Sequence, residues 1–153
     1  MMSYKGKWKP KNPEKYEGNR FNITYRSLWE RQAFKWCDEN SEVVKWSSEE
    51  LAIPYVSMTD GRTHKYYPDL KITYSDGKTV IVEIKPKRQT KPPRAKARKT
   101  QRYVKEVFAY GMNRSKWTYA EEYVKDRGWE FEIWTEDTLK SKGIKIIRPL
   151  KHK

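Results

Sequence analysis

The sequence contains a single cysteine, Cys37, in 153 residues. No internal disulfide can form, and a reducing compartment such as a cytoplasm is the expected setting. No run approaches the roughly 18 apolar residues of a membrane-spanning helix, so no membrane partner is expected. The N-terminus is basic but lacks an apolar stretch behind it, which gives no reason to expect a secretory leader. Without secretion, the sequon Asn22-Ile23-Thr24 carries no meaning. Apolar residues are scarce, at 36 % of the chain. Acidic residues are outnumbered, 20 Asp+Glu against 34 Lys+Arg, which leaves a net charge of +14.

Seven Trp, eleven Tyr and four Phe make up for the thin aliphatic content. Each aromatic side chain buries a large area, so one compact core is within reach, and the length suits one domain. The basic excess points to a polyanion, with nucleic acid foremost; general solubility or an acidic protein partner is the plainer explanation.

Three regions are expected: a basic N-terminal arm over 1–20, a central domain over 21–140, and a basic tail over 141–153. Tyr4, Trp8 and Tyr16 are interleaved with lysines in the arm, a pattern that suits either nucleic-acid contact or packing on the domain surface. A helix is predicted over 24–39, with Thr24 as N-cap. Short strands follow at 43–46 and 51–57. Strands at 65–74 and 78–85 form a hairpin, and the prolines after Lys85 make a loop. A helix from about 98 to 127 is expected to break near Gly111–Ser115 and to stop at Gly128. The stretch 129–134 reads as a late buried strand. The order helix, strands, helix, strand predicts a mixed α/β fold around a central sheet.

The hairpin register decides which residues meet. A two-residue loop would set Leu70 against Glu83 and mix charge with apolar residues on each face. A three-residue loop, Ser75-Asp76-Gly77, sets Leu70 opposite Val82 and Ile72 opposite Val80, so one face becomes apolar. The same register sets Asp69 across from Glu83, with Lys85 on that side. Carboxylates roughly 5 Å apart at Cβ repel each other, and a hard divalent cation such as Mg²⁺ would relieve that repulsion. A solvated charged face, with Lys85 neutralising a carboxylate, is the bland alternative.

Pro68-Asp69, then Glu83-Ile84-Lys85, resembles the PD-(D/E)xK motif of the restriction-endonuclease-like nucleases. That family's core is helix, three strands, helix, strand. Ser27-Leu28-Trp29-Glu30 and Phe131-Glu132-Ile133-Trp134-Thr135-Glu136 resemble its TnsA-like branch. Longer stretches, 3–10, 23–37, 45–50 and 129–139, are similar to the head completion nucleases of T-even-type tailed phages.

The resemblance implies phosphodiester hydrolysis on double-stranded DNA with Mg²⁺, or Mn²⁺ in its place. It implies catalytic roles for Glu30, Asp69, Glu83 and Lys85. The metal would be held by Asp69, Glu83, the backbone carbonyl of Ile84 and, further out, Glu30. On sequence alone Glu30 could equally pair with Arg26 or Arg31. The implied partners are phage head, portal or neck proteins, with assembly in the host cytoplasm and association with the virion. A DNA-end-binding cap without turnover and a TnsA-like DNA-cleaving subunit are the competing readings.

From Lys85 to Arg102 there is no acid. Lys87, Arg88, Lys91, Arg94, Lys96, Arg98, Lys99 and Arg102 are the expected DNA-binding residues. Six phosphate contacts would give a slope of about −5 in log affinity against log salt. His64 is expected on the same strand as Asp69, but a lone histidine there is more often structural.

Overall fold

The hairpin that organises the sheet forms in the computed structural model, which describes residues 4–147. Strands β6 (Leu70–Tyr74) and β7 (Thr79–Ile84) pair antiparallel, with Leu70 opposite Val82 and Ile72 opposite Val80. Ser75-Asp76-Gly77 is the three-residue turn, closed by Tyr74 N–H donating to the Lys78 carbonyl at 2.8 Å. Gly77 has φ +88°, a left-handed conformation that glycine adopts without a Cβ penalty.

Two further strands, one at each edge of the hairpin, complete a four-stranded sheet. Strand β3 (Val43–Ser47) is antiparallel to β6, and β8 (Glu130–Trp134) is parallel to β7. The parallel step needs a crossover, and the helix α2 (Gln101–Arg127) supplies it. The six residues of β7 are all buried, so both faces of this strand are covered.

On one face lies α1 (Leu28–Glu39), whose Ala33, Phe34 and Cys37 pack with Leu70, Ile72, Val80, Val82 and Trp134. Its first residue is set by Ser27, whose side chain accepts from Glu30 N–H at 3.2 Å. The expected cap, Thr24, instead sits in strand β2 (Ile23–Tyr25), paired with β1 (Gly6–Trp8). A serine that satisfies an orphan N–H fixes the helix start where a paired strand residue cannot.

The lysine-rich residues ahead of position 20 lie across the domain. Tyr16 is buried in the core and makes an edge contact with Trp46 at 4.8 Å. Its hydroxyl donates to Glu50 Oε2 at 2.8 Å. Lys15 Nζ donates to the carbonyls of Cys37, Asp38 and Asn40 at 2.8–2.9 Å, which satisfies the C-terminal end of α1. At the other end, helix α3 (Glu136–Ser141) is followed by Ile144, which returns to the core. The rest of the expected tail, from 148, lies outside the described residues.

Two further expectations are corrected. The stretch 65–74 is not one strand: β5 (Thr63–Tyr66) ends before Pro68 and pairs with β4 (Ile53–Val56) in a separate hairpin. Proline has no N–H to give a ladder, so the chain leaves one sheet there and enters the next. His64 therefore belongs to the accessory hairpin, 2.8 Å from Asp60 and stacked near Tyr55.

The second correction concerns α2, which is continuous through Gly111. An interior glycine costs only about 1 kcal/mol. Trp117, Ala120 and Val124 anchor the second half, and propagation from a docked helix is cheap. The helix starts at Gln101, capped by the Thr100 side chain, and ends at Gly128 (φ +70°) as expected.

Candidate active site

The short connection from β5 to β6 and the end of β7 meet at one place. The paired ladder stops at Leu70 and Val82, so Asp69 and Glu83 lie just beyond it. Asp69 Oδ2 accepts from Ile84 N–H at 2.7 Å, which ties the carboxylate to the chain beside Glu83. Glu83 is buried. Its Oε1 accepts from the Tyr66 hydroxyl at 2.5 Å, and its Oε2 lies 3.4 Å from Lys85 Nζ. Lys85 is partly exposed and its N–H donates to the Trp134 carbonyl at 3.0 Å, so β8 fixes the lysine's backbone.

Glu30 stands at the start of α1, on the same stripe as Ala33, Phe34 and Cys37, and only 8 % of it is exposed. Neither Arg26 nor Arg31 pairs with it. Arg26 is held by Glu49 at 2.9 Å, and Arg31 lies over the Tyr25 ring. Glu30 Oε2 accepts from Ser27 Oγ at 3.1 Å, while Oε1 is buried with no hydrogen-bond partner among the described residues. A buried carboxylate oxygen without a donor is costly.

The electrostatics follow from this crowding. Burial is the main force that pushes the Glu30 carboxyl up to about 7, and Glu49 adds to it. Asp69 is held well above the ordinary carboxylate range by burial first, then by the charges of Glu83 and Glu30. The Ile84 N–H and Lys85 oppose that rise. Three carboxylates therefore feel one another, and protonation relieves the strain when no cation is near.

These donors fit a hard divalent cation. They are all oxygens, they repel one another, and one of them is orphaned. Among the described residues no three His, Cys, Asp or Glu side chains form a ready cage. An ion held there by Asp69 and Glu83, with Glu30 further out, would have to keep several of its waters.

The basic segment leaves this site directly. Lys87 and Arg88 lie in a 3₁₀ turn over Lys87–Thr90. Lys87 is tied down: its N–H donates to Glu136 Oε1 at 2.6 Å and its Nζ lies 3.2 Å from Asp137. Arg102 is 3.3 Å from Glu106, and Lys99 lies over the Tyr103 ring. Arg88, Lys91, Arg94, Lys96 and Arg98 are exposed and make no ion pair among the described residues.

Sequence reasoning missed Tyr66 and the part Ser27 plays at Glu30. The second had a signal, because Ser27-Leu28-Trp29-Glu30 has the S-x-x-E spacing of a capping box. Tyr66 had none, since its hydroxyl reaches Glu83 from a separate hairpin.

A helix-backed sheet with carboxylates and a lysine at the end of its central hairpin defines a class, and residues 40–136 match the TnsA-like endonuclease N-terminal family. The chain belongs to that family, whose fold is restriction-endonuclease-like within the PD-(D/E)xK superfamily. The head completion nuclease of Enterobacteria phage T4 is 40 % identical over 148 residues, covering 94 % of this chain and 99 % of that protein. Asp69, Glu83, Lys85 and the basic segment fall inside the family match; Glu30 precedes it.

Proposed function

We propose that this protein is a divalent-metal-dependent deoxyribonuclease that acts on packaged DNA during completion of a phage head, before heads join tails. The observation that carries the reading is the meeting of Asp69, Glu83 and Lys85 at the end of β6–β7, with Glu30 and its partnerless Oε1 within their field. The T4 relative is named a head completion nuclease, and it aligns over almost the whole of both chains.

Asp69, Glu83 and the Ile84 carbonyl would hold Mg²⁺, with Glu30 as an outer ligand. A divalent ion bound there would lower the pKa of its water and offset the negative charge that builds on the phosphoryl and leaving oxygens. Tethering by Ile84 N–H presents Asp69 in one orientation, so little reorganisation is needed at the moment of attack. Lys85 carries a cation beside Glu83, where it can orient the attacking water and stabilise negative charge on the phosphoryl oxygens. The exposed cations after Lys85 would grip phosphates next to the scissile bond. Phosphate contacts position DNA without reading its sequence, so little base preference is expected.

A plasmid-nicking assay with Mg²⁺ tests this reading. Wild type should nick and lose activity with a chelator. Asp69→Ala and Glu83→Ala should each fall by about 100-fold or more, since several kcal/mol of transition-state stabilisation goes with the metal. Equal cutting by wild type and both variants would assign the activity to a contaminant and overturn the proposal. DNA retention by a wild type that never cuts would favour an end-capping protein.

A further inference from the structure

Tyr66 is the last residue of β5, which pairs with β4 in the accessory hairpin. Tyr66 is 4 % exposed and belongs to a second core cluster with Ile53, Tyr55, Trp117 and Ala120. That cluster would be filled equally well by phenylalanine. The hydroxyl has a separate task, because it leaves the cluster and donates to Glu83 Oε1 at 2.5 Å. Three residues later, Asp69 accepts from Ile84 N–H at 2.7 Å. One short segment, 66–69, thus grips the end of β7 at two successive residues, by the Glu83 side chain and by the Ile84 backbone.

The geometry points to Tyr66 as a positioning residue that locks the Glu83 carboxylate for divalent-metal binding, an inference that rests on the metal-dependent reading above. With Oε1 engaged by the phenol, Glu83 is held in one rotamer and turns Oε2 toward Lys85. Groups that hydrogen-bond a ligating carboxylate fix its direction, and their loss commonly costs 10–100-fold in metal affinity. The contact also ties the active site to α2. Trp117 and Ala120 of that helix pack in the same cluster as the Tyr66 ring, so the second half of α2 helps hold the carboxylate through the tyrosine.

The test is Mn²⁺ titration by calorimetry on full-length wild type, Tyr66→Phe and Glu83→Ala, without DNA. Wild type should bind, Glu83→Ala should lose binding, and Tyr66→Phe should bind 10–100-fold more weakly with a melting temperature close to wild type. Loss in Glu83→Ala with wild-type affinity in Tyr66→Phe would overturn the role of Tyr66 and leave the metal reading standing. Undiminished binding in Glu83→Ala would overturn both. Should Tyr66→Phe fail to fold, wild type alone decides. A short phenol–carboxylate bond slows exchange of the Tyr66 hydroxyl proton, whose NMR resonance should then move on addition of Mg²⁺. A resonance unchanged at saturating Mg²⁺ would sink the proposal.

Discussion

At the scale of single residues, the candidate site gathers carboxyl groups whose neutral form the fold favours. Glu30 is raised to about 7 and Asp69 well above its ordinary range, in both cases chiefly by burial. For an acid raised on folding, the native state binds the proton more tightly than the unfolded chain. The stability this gives is complete below about pH 4.5, the ordinary glutamate value, and is lost as pH rises through about 7. At 1.4 kcal/mol per tenfold change, the loss from Glu30 is on the order of 3 kcal/mol. Calorimetric melting of metal-free protein at pH 5 and pH 8 should show wild type losing more stability over that interval than Glu30→Gln, which cannot ionise. In the proposed metal site protons and Mg²⁺ would compete for the same oxygens, so Mg²⁺ should raise the melting temperature more at pH 8 than at pH 5. Equal pH dependence in wild type and Glu30→Gln would mean that Glu30 ionises freely.

At the scale of elements, Lys15 has different work from the exposed cations after Lys85. Lys15 is a helix cap, with three carbonyls of the α1 terminus bound by one ammonium. Hydrogen bonds to charged groups are each worth about 1.5–3 kcal/mol before the cost of ordering the side chain. Lys15→Met should therefore lower unfolding free energy by about 1–3 kcal/mol in urea titration while leaving the salt dependence of DNA binding unchanged. A stability within error of wild type would return Lys15 to the solvated surface.

The same contrast shows where the sequence could be read. The β6–β7 register was legible because only one turn length makes a single face apolar, and Leu70, Ile72, Val80 and Val82 obey it. The split at Pro68 was written in the chain too, but alternation on both sides of it masked the change of sheet. The packing of Tyr16 under Trp46 and the reach of Tyr66 to Glu83 were not legible. They join elements far apart in sequence, and local periodicity carries no trace of such contacts. Glu30 lay between: its apolar stripe was visible, but only the structure shows that Arg26 turns to Glu49 instead.

For the whole molecule, the charge of +14 is distributed by use. Part of it is spent on structure, in Lys15, in Lys87 at the start of α3, and in the Arg26–Glu49 pair. The segment between β7 and α2 keeps its cations exposed, immediately beside Lys85. Among the eight candidate residues of 87–102, Arg88, Lys91, Arg94, Lys96 and Arg98 carry no ion pair or ring contact among the described residues. If each neutralises one phosphate of duplex DNA, log affinity should fall with log salt at a slope of about −4.5, slightly shallower than a count of six implies. Fluorescence anisotropy with a labelled duplex, with Ca²⁺ in place of Mg²⁺ to limit cutting, reads this slope directly. Arg94→Gln with Lys96→Gln should make it shallower by about 1.8 and weaken binding alike on unrelated sequences. Glu83→Ala leaves these five cations in place, so its slope should match wild type even as cutting fails. A slope unchanged in the Arg94/Lys96 double variant would move the DNA track off this segment and onto another basic face of the domain.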